Sequence, residues 1–243
     1  MNYFIYKVVR FIGRPIYKIV FRSKYYGVDN IPSEGAVILA GNHTNNLDAA
    51  MMIGAPKRIV HMMAKKELFS SKISNYFFRS MGCISVNRSI HDENAKSEAR
   101  EILNNKGAIG LFPEGTRNEV TSKEEEIQKI SKILNISTEE VLSKLKNNVV
   151  LGIFPEGTVN KTLYKDNEQL LLPFKYGAVS FAKKTNAYIV PFAINGKYKI
   201  FSKDLKITFG KPYKVTGDLE SENEKLMNIV SKMILEGRNE KRK

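Results

Sequence analysis

The chain has 243 residues, which suits one large α/β domain or two small ones, and its 42% hydrophobic and 26% charged content excludes a disordered tail. Lysine plus arginine total 39 against 25 aspartate plus glutamate, a net charge of +14 that calls for an anionic partner: nucleic acid, a membrane surface or a phosphorylated substrate. One cysteine, Cys83, excludes an internal disulfide and a thiolate-rich zinc site, and three histidines (His43, His61, His91) do not suggest a metal centre, so neither metal nor cofactor is expected.

Residues 1–26 carry six basic side chains (Lys7, Arg10, Arg14, Lys18, Arg22, Lys24), no acidic one, and eight of the 24 aromatic residues. On a helix, Lys7, Arg10, Arg14, Lys18 and Arg22 share one arc about 120° wide, opposite Ile5, Val8, Val9, Ile12, Ile16, Ile19 and Val20. Charges every three or four residues keep such a helix from spanning a bilayer. It suits the interface plane, its apolar face among acyl chains and its cations on anionic headgroups. Pro15 is expected to kink it. The alternative is a helix packed on the domain with its charged face in water; the missing acids and crowded aromatics favour the membrane, whose surface potential rewards each cation. No cleavable signal peptide is legible, so the expected location is peripheral, on the cytoplasmic face of the membrane.

The remainder, residues 27–243, alternates apolar runs at 36–40, 58–63, 83–86, 107–112, 149–154, 188–194 and 206–209 with helical patterns at 66–81, 91–105, 122–147 and 175–185, closing with a helix at 221–236. The runs lack polar alternation and read as strands buried on both faces. The expected fold is therefore α/β, a mostly parallel central sheet flanked by helices, with ligands at the carboxyl ends of the strands. Residues 103–118 and 145–160 align at an offset of 42, each containing Phe-Pro-Glu-Gly-Thr, so residues 118–150 read as an inserted or duplicated helix–strand unit.

Polar constellations follow several runs. Asn42-His43-Thr44-Asn45-Asn46-Leu47-Asp48 follows 36–40, with Asp48 opening a helix. A five-residue gap is about 140° on a helix, so His43 and Asp48 meet only across a strand-to-helix turn. There the carboxylate, kept ionised by the helix N-terminus, would fix the imidazole tautomer and leave the other nitrogen as a base. On spacing alone an N-capping aspartate beside a surface histidine is the better reading. Phe112-Pro113-Glu114-Gly115-Thr116-Arg117 is more specific: a glycine turn after a buried strand brings backbone N–H groups to an anion, and Arg117 offers a planar fork for phosphate. Arg88, two residues past Val86, is a second such fork. His61 reads as a core histidine, His91 as an exposed helix start, Lys65 as solvated, and Met51, Met52, Met62 and Met63 as core rather than acyl-chain lining.

Asn-His-x4-Asp, then Arg88 after Gly82-Cys83-Ile84-Ser85-Val86, then Phe112–Arg117, then Ile189-Val190-Pro191-Phe192, in that order, resembles the four-motif signature of the glycerolipid acyltransferases over about residues 25 to 215. The resemblance implies direct transfer of an acyl group from acyl-CoA or acyl-carrier protein to the free hydroxyl of lysophosphatidic acid, giving phosphatidic acid. It implies His43 as base, Asp48 as its support, and Arg88, Glu114, Gly115, Thr116 and Arg117 as the site for glycerol phosphate. Two Phe-Pro-Glu-Gly-Thr copies depart from the family's one. The first is preferred because Val159 in the second cannot bind phosphate, although a fold using strand 149–154 would install Glu156 and Thr158. The rival readings are an acyltransferase for another lysophospholipid, an inactive basic membrane module, a nucleic-acid binder without a recognised motif, and a serine hydrolase without a Gly-x-Ser-x-Gly elbow. Nucleic acid is not an expected partner.

Overall fold

The computed structural model describes residues 1–87, 92–113, 171–201 and 203–239. Helix α1 (Tyr3–Val20) leads into edge strand β1 (Lys24–Tyr26). Then come β2 (Val37–Gly41), α2 (Asp48–Gly54), β3 (His61–Lys65), α3 (Lys72–Ser80), β4 (Ile84–Val86), α4 (Glu93–Asn104) and β5 (Ala108–Leu111). After residues 114–170 the described chain continues with α5 (Gly177–Thr185), β6 (Tyr188–Asn195), β7 (Lys206–Phe209), β8 (Tyr213–Lys214) and α6 (Leu219–Asn239).

Among the described residues the strands form one sheet in the order β1-β7-β6-β2-β5-β3-β4, with β8 against β6. The pairings β6·β2, β2·β5, β5·β3 and β3·β4 are all parallel, and only β7 and β8 run antiparallel to β6. Register aligns Ala40 with Leu111 and Pro191, so the carboxyl ends of β2, β5 and β6 emerge side by side.

Successive side chains leave the sheet on opposite faces. Ile38, Ala40, Ile109, Leu111, Ile189 and Ala193 meet Ala95, Ala99 and Leu103 of α4, Ala178 and Phe181 of α5, and Leu226, Val230 and Ile234 of α6. Val37, Leu39, Val190, Phe192 and Ile194 face the other way, against Tyr6 of α1 and Met51 and Met52 of α2. Burying each such side chain stabilises the fold by about 1.5–3 kcal/mol. At the amino ends of the strands, the Arg58 guanidinium donates to the carbonyls of Pro32, Gly35 and Lys106.

Three expectations are corrected. The helix expected through 1–26 ends at Val20, and Lys24–Tyr26 is a strand paired with β7, too short to signal itself by pattern. Pro15 lies inside that helix. The pattern 66–81 is a 3-10 turn, Lys66–Phe69, followed by α3, because the Ser71 side chain accepts the Ser74 N–H and caps a new helix. Strand 58–63 slides to His61–Lys65, where residues Met63 to Lys65 pair with β4. The elements expected at 122–147 and 149–154, and the unit at 118–150, lie outside the described residues.

Helix α1 is also docked more firmly than a surface helix would be. Tyr6 is 1% exposed and its hydroxyl accepts the Val60 N–H. Arg10 donates to the Lys57 carbonyl and Tyr17 to that of Leu47. A second, outward stripe stays uncovered: Phe4, Phe11 and Ile19 are 75%, 81% and 66% exposed, with Val8, Ile12 and Ile16 beside them.

Candidate active site

The site grows from the carboxyl end of β2. Gly41 is the last strand residue, and a Cβ there would sit 2.1 Å from the Phe192 carbonyl oxygen, so only glycine lets β2 and β6 stay this close. Asn42 then behaves as one more rung of the ladder. Its Nδ2 donates to the Ile194 carbonyl at 2.9 Å and its Oδ1 accepts the Ile194 N–H at 2.7 Å. Buried beyond the strand, Asn42 holds the next residue, His43, at the rim of the sheet.

The chain turns at 44–47 and enters α2 at Asp48, which is 0% exposed. His43 Nδ1 lies 3.0 Å from Asp48 Oδ2. The carboxylate can only accept, so Nδ1 carries the proton and Nε2 is the basic nitrogen. The same Oδ2 accepts the N–H groups of Thr44 at 2.6 Å and Asn45 at 2.8 Å, which shapes the turn around the carboxylate. The Tyr198 hydroxyl donates to Oδ1. The imidazole stacks on Phe112, ring centroids 3.9 Å apart and planes 13° from parallel. Phe112 in turn meets Phe192 edge-on.

The expected pair is therefore real and it meets across a strand-to-helix turn. Phe112 and Pro113, which open the first Phe-Pro-Glu-Gly-Thr copy, follow β5 directly beside His43, and the Pro113 carbonyl accepts the Lys175 N–H. Arg88, Glu114, Gly115, Thr116 and Arg117 lie outside the described residues, as do His91 and the copy at 154–158. The ends flanking residues 88–91 are pinned together: the Asn87 N–H donates to the Asp92 carboxylate at 2.7 Å, and this bond, with that from Ala95, holds the Asp92 carboxyl below its ordinary range.

His61 is partly buried, its Nδ1 2.8 Å from the Gly82 carbonyl oxygen, and burial lowers its pKa: a satisfied core histidine. Met51, Met52 and Met62 are core, and Lys65 is exposed. Among the described residues no group of three or more His, Cys, Asp or Glu side chains is placed to hold a metal ion. Three contributors had no local signal. Phe112 was visible only as a motif letter, Asn42 only as the residue before His43, and Tyr198 comes from 150 residues downstream. Burial, then the negative charge of Asp48, raises the pKa of both Tyr198 and Tyr17, so both remain hydroxyl donors.

The Acyltransferase family model matches residues 22–132 and 128–195. A 1-acyl-sn-glycerol-3-phosphate acyltransferase of Bacillus subtilis is 28% identical over 95 residues, 39% of this chain and 48% of that protein. One of Borreliella burgdorferi is 34% identical over 94 residues, 38% of each chain. The matched stretches thus span half or less of these relatives' length. The crystal structure of PlsC, the 1-acyl-sn-glycerophosphate acyltransferase of Thermotoga maritima, superposes with a TM-score of 0.62 at 19% identity, covering 95% of this chain and 78% of that one, and so shares the fold.

Proposed function

The chain belongs to the acyltransferase family, and from that premise we propose that it transfers a fatty acyl group from acyl-CoA or acyl-carrier protein to the free hydroxyl of lysophosphatidic acid, forming phosphatidic acid. The observation that carries the reading is the His43–Asp48 contact at the carboxyl end of β2, 3.0 Å long, with the imidazole stacked on the Phe112 ring. His43 Nε2 takes the acceptor's hydroxyl proton as the oxygen attacks the thioester carbonyl. The tetrahedral intermediate collapses with loss of the thiolate, which recovers the proton from His43. No enzyme nucleophile is needed.

Arg88, Glu114, Gly115, Thr116 and Arg117 are assigned to the glycerol phosphate, where fork-like donors and backbone N–H groups suit a dianion. The placement of Phe112 and Pro113 beside His43 supports the first Phe-Pro-Glu-Gly-Thr copy as the one used. The two overlapping family matches support an added helix–strand unit at 118–150. The names of the bacterial relatives support lysophosphatidic acid as acceptor.

We place the enzyme peripherally on an anionic membrane, on its cytoplasmic face. Among the described residues no helix is long and apolar enough to cross a bilayer. The outward stripe of α1 adjoins a recess of about 280 Å³ lined by Lys7, Arg10, Arg14, Phe11 and Pro15, an arrangement that offers lipid both apolar contact and positive charge.

The test is phosphatidic acid formation from labelled lysophosphatidic acid with acyl-CoA or acyl-carrier protein. We expect turnover by the wild type and a loss of about a thousandfold in His43→Ala, the range of a positioned base. Equal turnover in both proteins removes His43 from the reaction.

A further inference from the structure

The loop between β6 and β7 reaches back to the dyad. Gly196 opens it with φ +93°, and a Cβ there would meet the Asp204 carbonyl oxygen at 2.2 Å, so the chain doubles back tightly. Two residues on, the Tyr198 hydroxyl donates to Asp48 Oδ1, the oxygen that His43 does not use. Met51 Sδ of α2 lies 3.9 Å from the same hydroxyl.

The other side of Tyr198 belongs to α1. Its ring meets Phe21 edge-on at 5.5 Å and Tyr17 at 6.4 Å, and those two rings lie 5.0 Å apart. The Phe201 N–H donates to the Val20 carbonyl at 2.7 Å, so the loop also ties off the last turn of the helix. Tyr17 donates to the carbonyl of Leu47, the residue before Asp48. The same end of α1 thus supports both the backbone leading into Asp48 and the tyrosine that grips its carboxylate.

Resting on the dyad's proposed role, we infer that Tyr198 is a positioning residue of the reaction, fixing the Asp48 carboxylate toward His43, and that the last turn of α1 holds Tyr198 in place. Asp48 has no side-chain rotamer freedom once Oδ1 and Oδ2 are both engaged, and a fixed carboxylate fixes the imidazole. The docked N-terminal helix therefore does two jobs: its outer stripe offers a lipid-facing surface, and its inner end steadies the base. Among the described residues, Tyr17 and Tyr25 also act electrostatically on Tyr198.

The experiment compares wild type with Tyr198→Phe on detergent-dispersed lysophosphatidic acid, so that vesicle binding does not enter. Phenylalanine keeps the ring contacts and removes only the hydroxyl. We expect kcat about tenfold lower with the acceptor KM within about twofold, the pattern of a lost transition-state contribution. An unchanged kcat would reduce Tyr198 to packing.

Phe21→Leu tests the helix. It should cost about threefold in kcat in the wild-type background and almost nothing when Tyr198 is already Phe. An equal fold loss in both backgrounds overturns the α1 link. The 15N spectrum of the His43 ring reads the same alignment without turnover: a shift in Tyr198→Phe with the thermal midpoint retained supports the inference, and an unmoved signal opposes it. If the wild type makes no phosphatidic acid, the proposed reaction fails while this spectrum still decides the contact.

Discussion

The turn from Asn42 to Asp48 and the outer stripe of α1 treat their side chains in opposite ways. In the turn, Asn42 pairs with both backbone groups of Ile194, and the Asp48 carboxylate takes His43, two backbone N–H groups and the Tyr198 hydroxyl. On α1, Phe4, Phe11 and Ile19 stand in the open, although burying each would stabilise the fold by about 1.5–3 kcal/mol. The proposed roles account for the difference: a group that moves a proton must be held in one place, because an ångström of error costs rate, and a surface meant for lipid must be left without a protein partner in water. Helix α1 commits its inner face to the core and leaves its outer face uncovered.

The strongest way to separate the two regions is to make the stripe polar. The triple variant Phe4→Ser, Phe11→Ser, Ile19→Ser should lower partition onto phosphatidylglycerol vesicles by roughly a hundredfold or more, judged by the apolar burial lost. Turnover on detergent-dispersed substrate should survive. Co-sedimentation at the wild-type level would break the comparison from the α1 side. Deleting residues 1–22 does not make the same cut, since it removes the fully buried Tyr6 and the Val60 N–H bond with it, and should unfold the protein.

On the side of the turn, Arg88→Ala should raise the KM for lysophosphatidic acid by about 10–100-fold, the weight of one or two charge-assisted bonds, and leave the donor's KM nearly unchanged. A phosphate-free acceptor should show little of that loss; equal losses on both acceptors would make Arg88 structural. Asn42→Ala comes next. It strips the partners from a buried N–H and C=O of Ile194, which should cost about 2–4 kcal/mol in urea unfolding, with vesicle binding unaltered. An unshifted unfolding midpoint would show that the turn does not need its extra rung.

The smallest effect concerns Cys83, which packs under α1 and α2 in the same layer as Tyr6. Burial pushes its thiol up to about 11, so it stays protonated and slow to alkylate at pH 8, reacting faster as pH climbs toward that value and at once when unfolded. Fast native labelling at pH 8 would mean that this layer opens.

What the sequence disclosed depended on locality. Strands β2, β5, β6 and β7 are continuous apolar runs and stand within a residue or two of where the pattern puts them. The spacing of His43 and Asp48 allowed contact only across a strand-to-helix turn and by itself favoured a capping aspartate beside a surface histidine; the four ordered motifs tipped the reading toward the pair. Strand β1 was hidden because three residues carry no period, and it sat inside an amphipathic pattern that does end at Val20. The docking of α1 was foreseen only as the alternative to the membrane, because a single helical wheel shows one apolar face, whereas Tyr6, Tyr17 and Phe21 form an inner stripe distinct from Phe4, Phe11 and Ile19. Tyr198 had no signal at all, since its partner is 150 residues away and the intervening chain has the periodicity of ordinary strands and helices.

The anchoring of α1 has one more consequence. The Asn2 N–H donates to the Ser80 carbonyl, Tyr6 and Arg10 grip residues Val60 and Lys57, and Tyr17 grips Leu47, so the helix is riveted along its whole length. If the outer stripe does enter a bilayer as proposed, these bonds leave no slack between it and the domain, so the His43 ring would be held at one fixed height above the lipid.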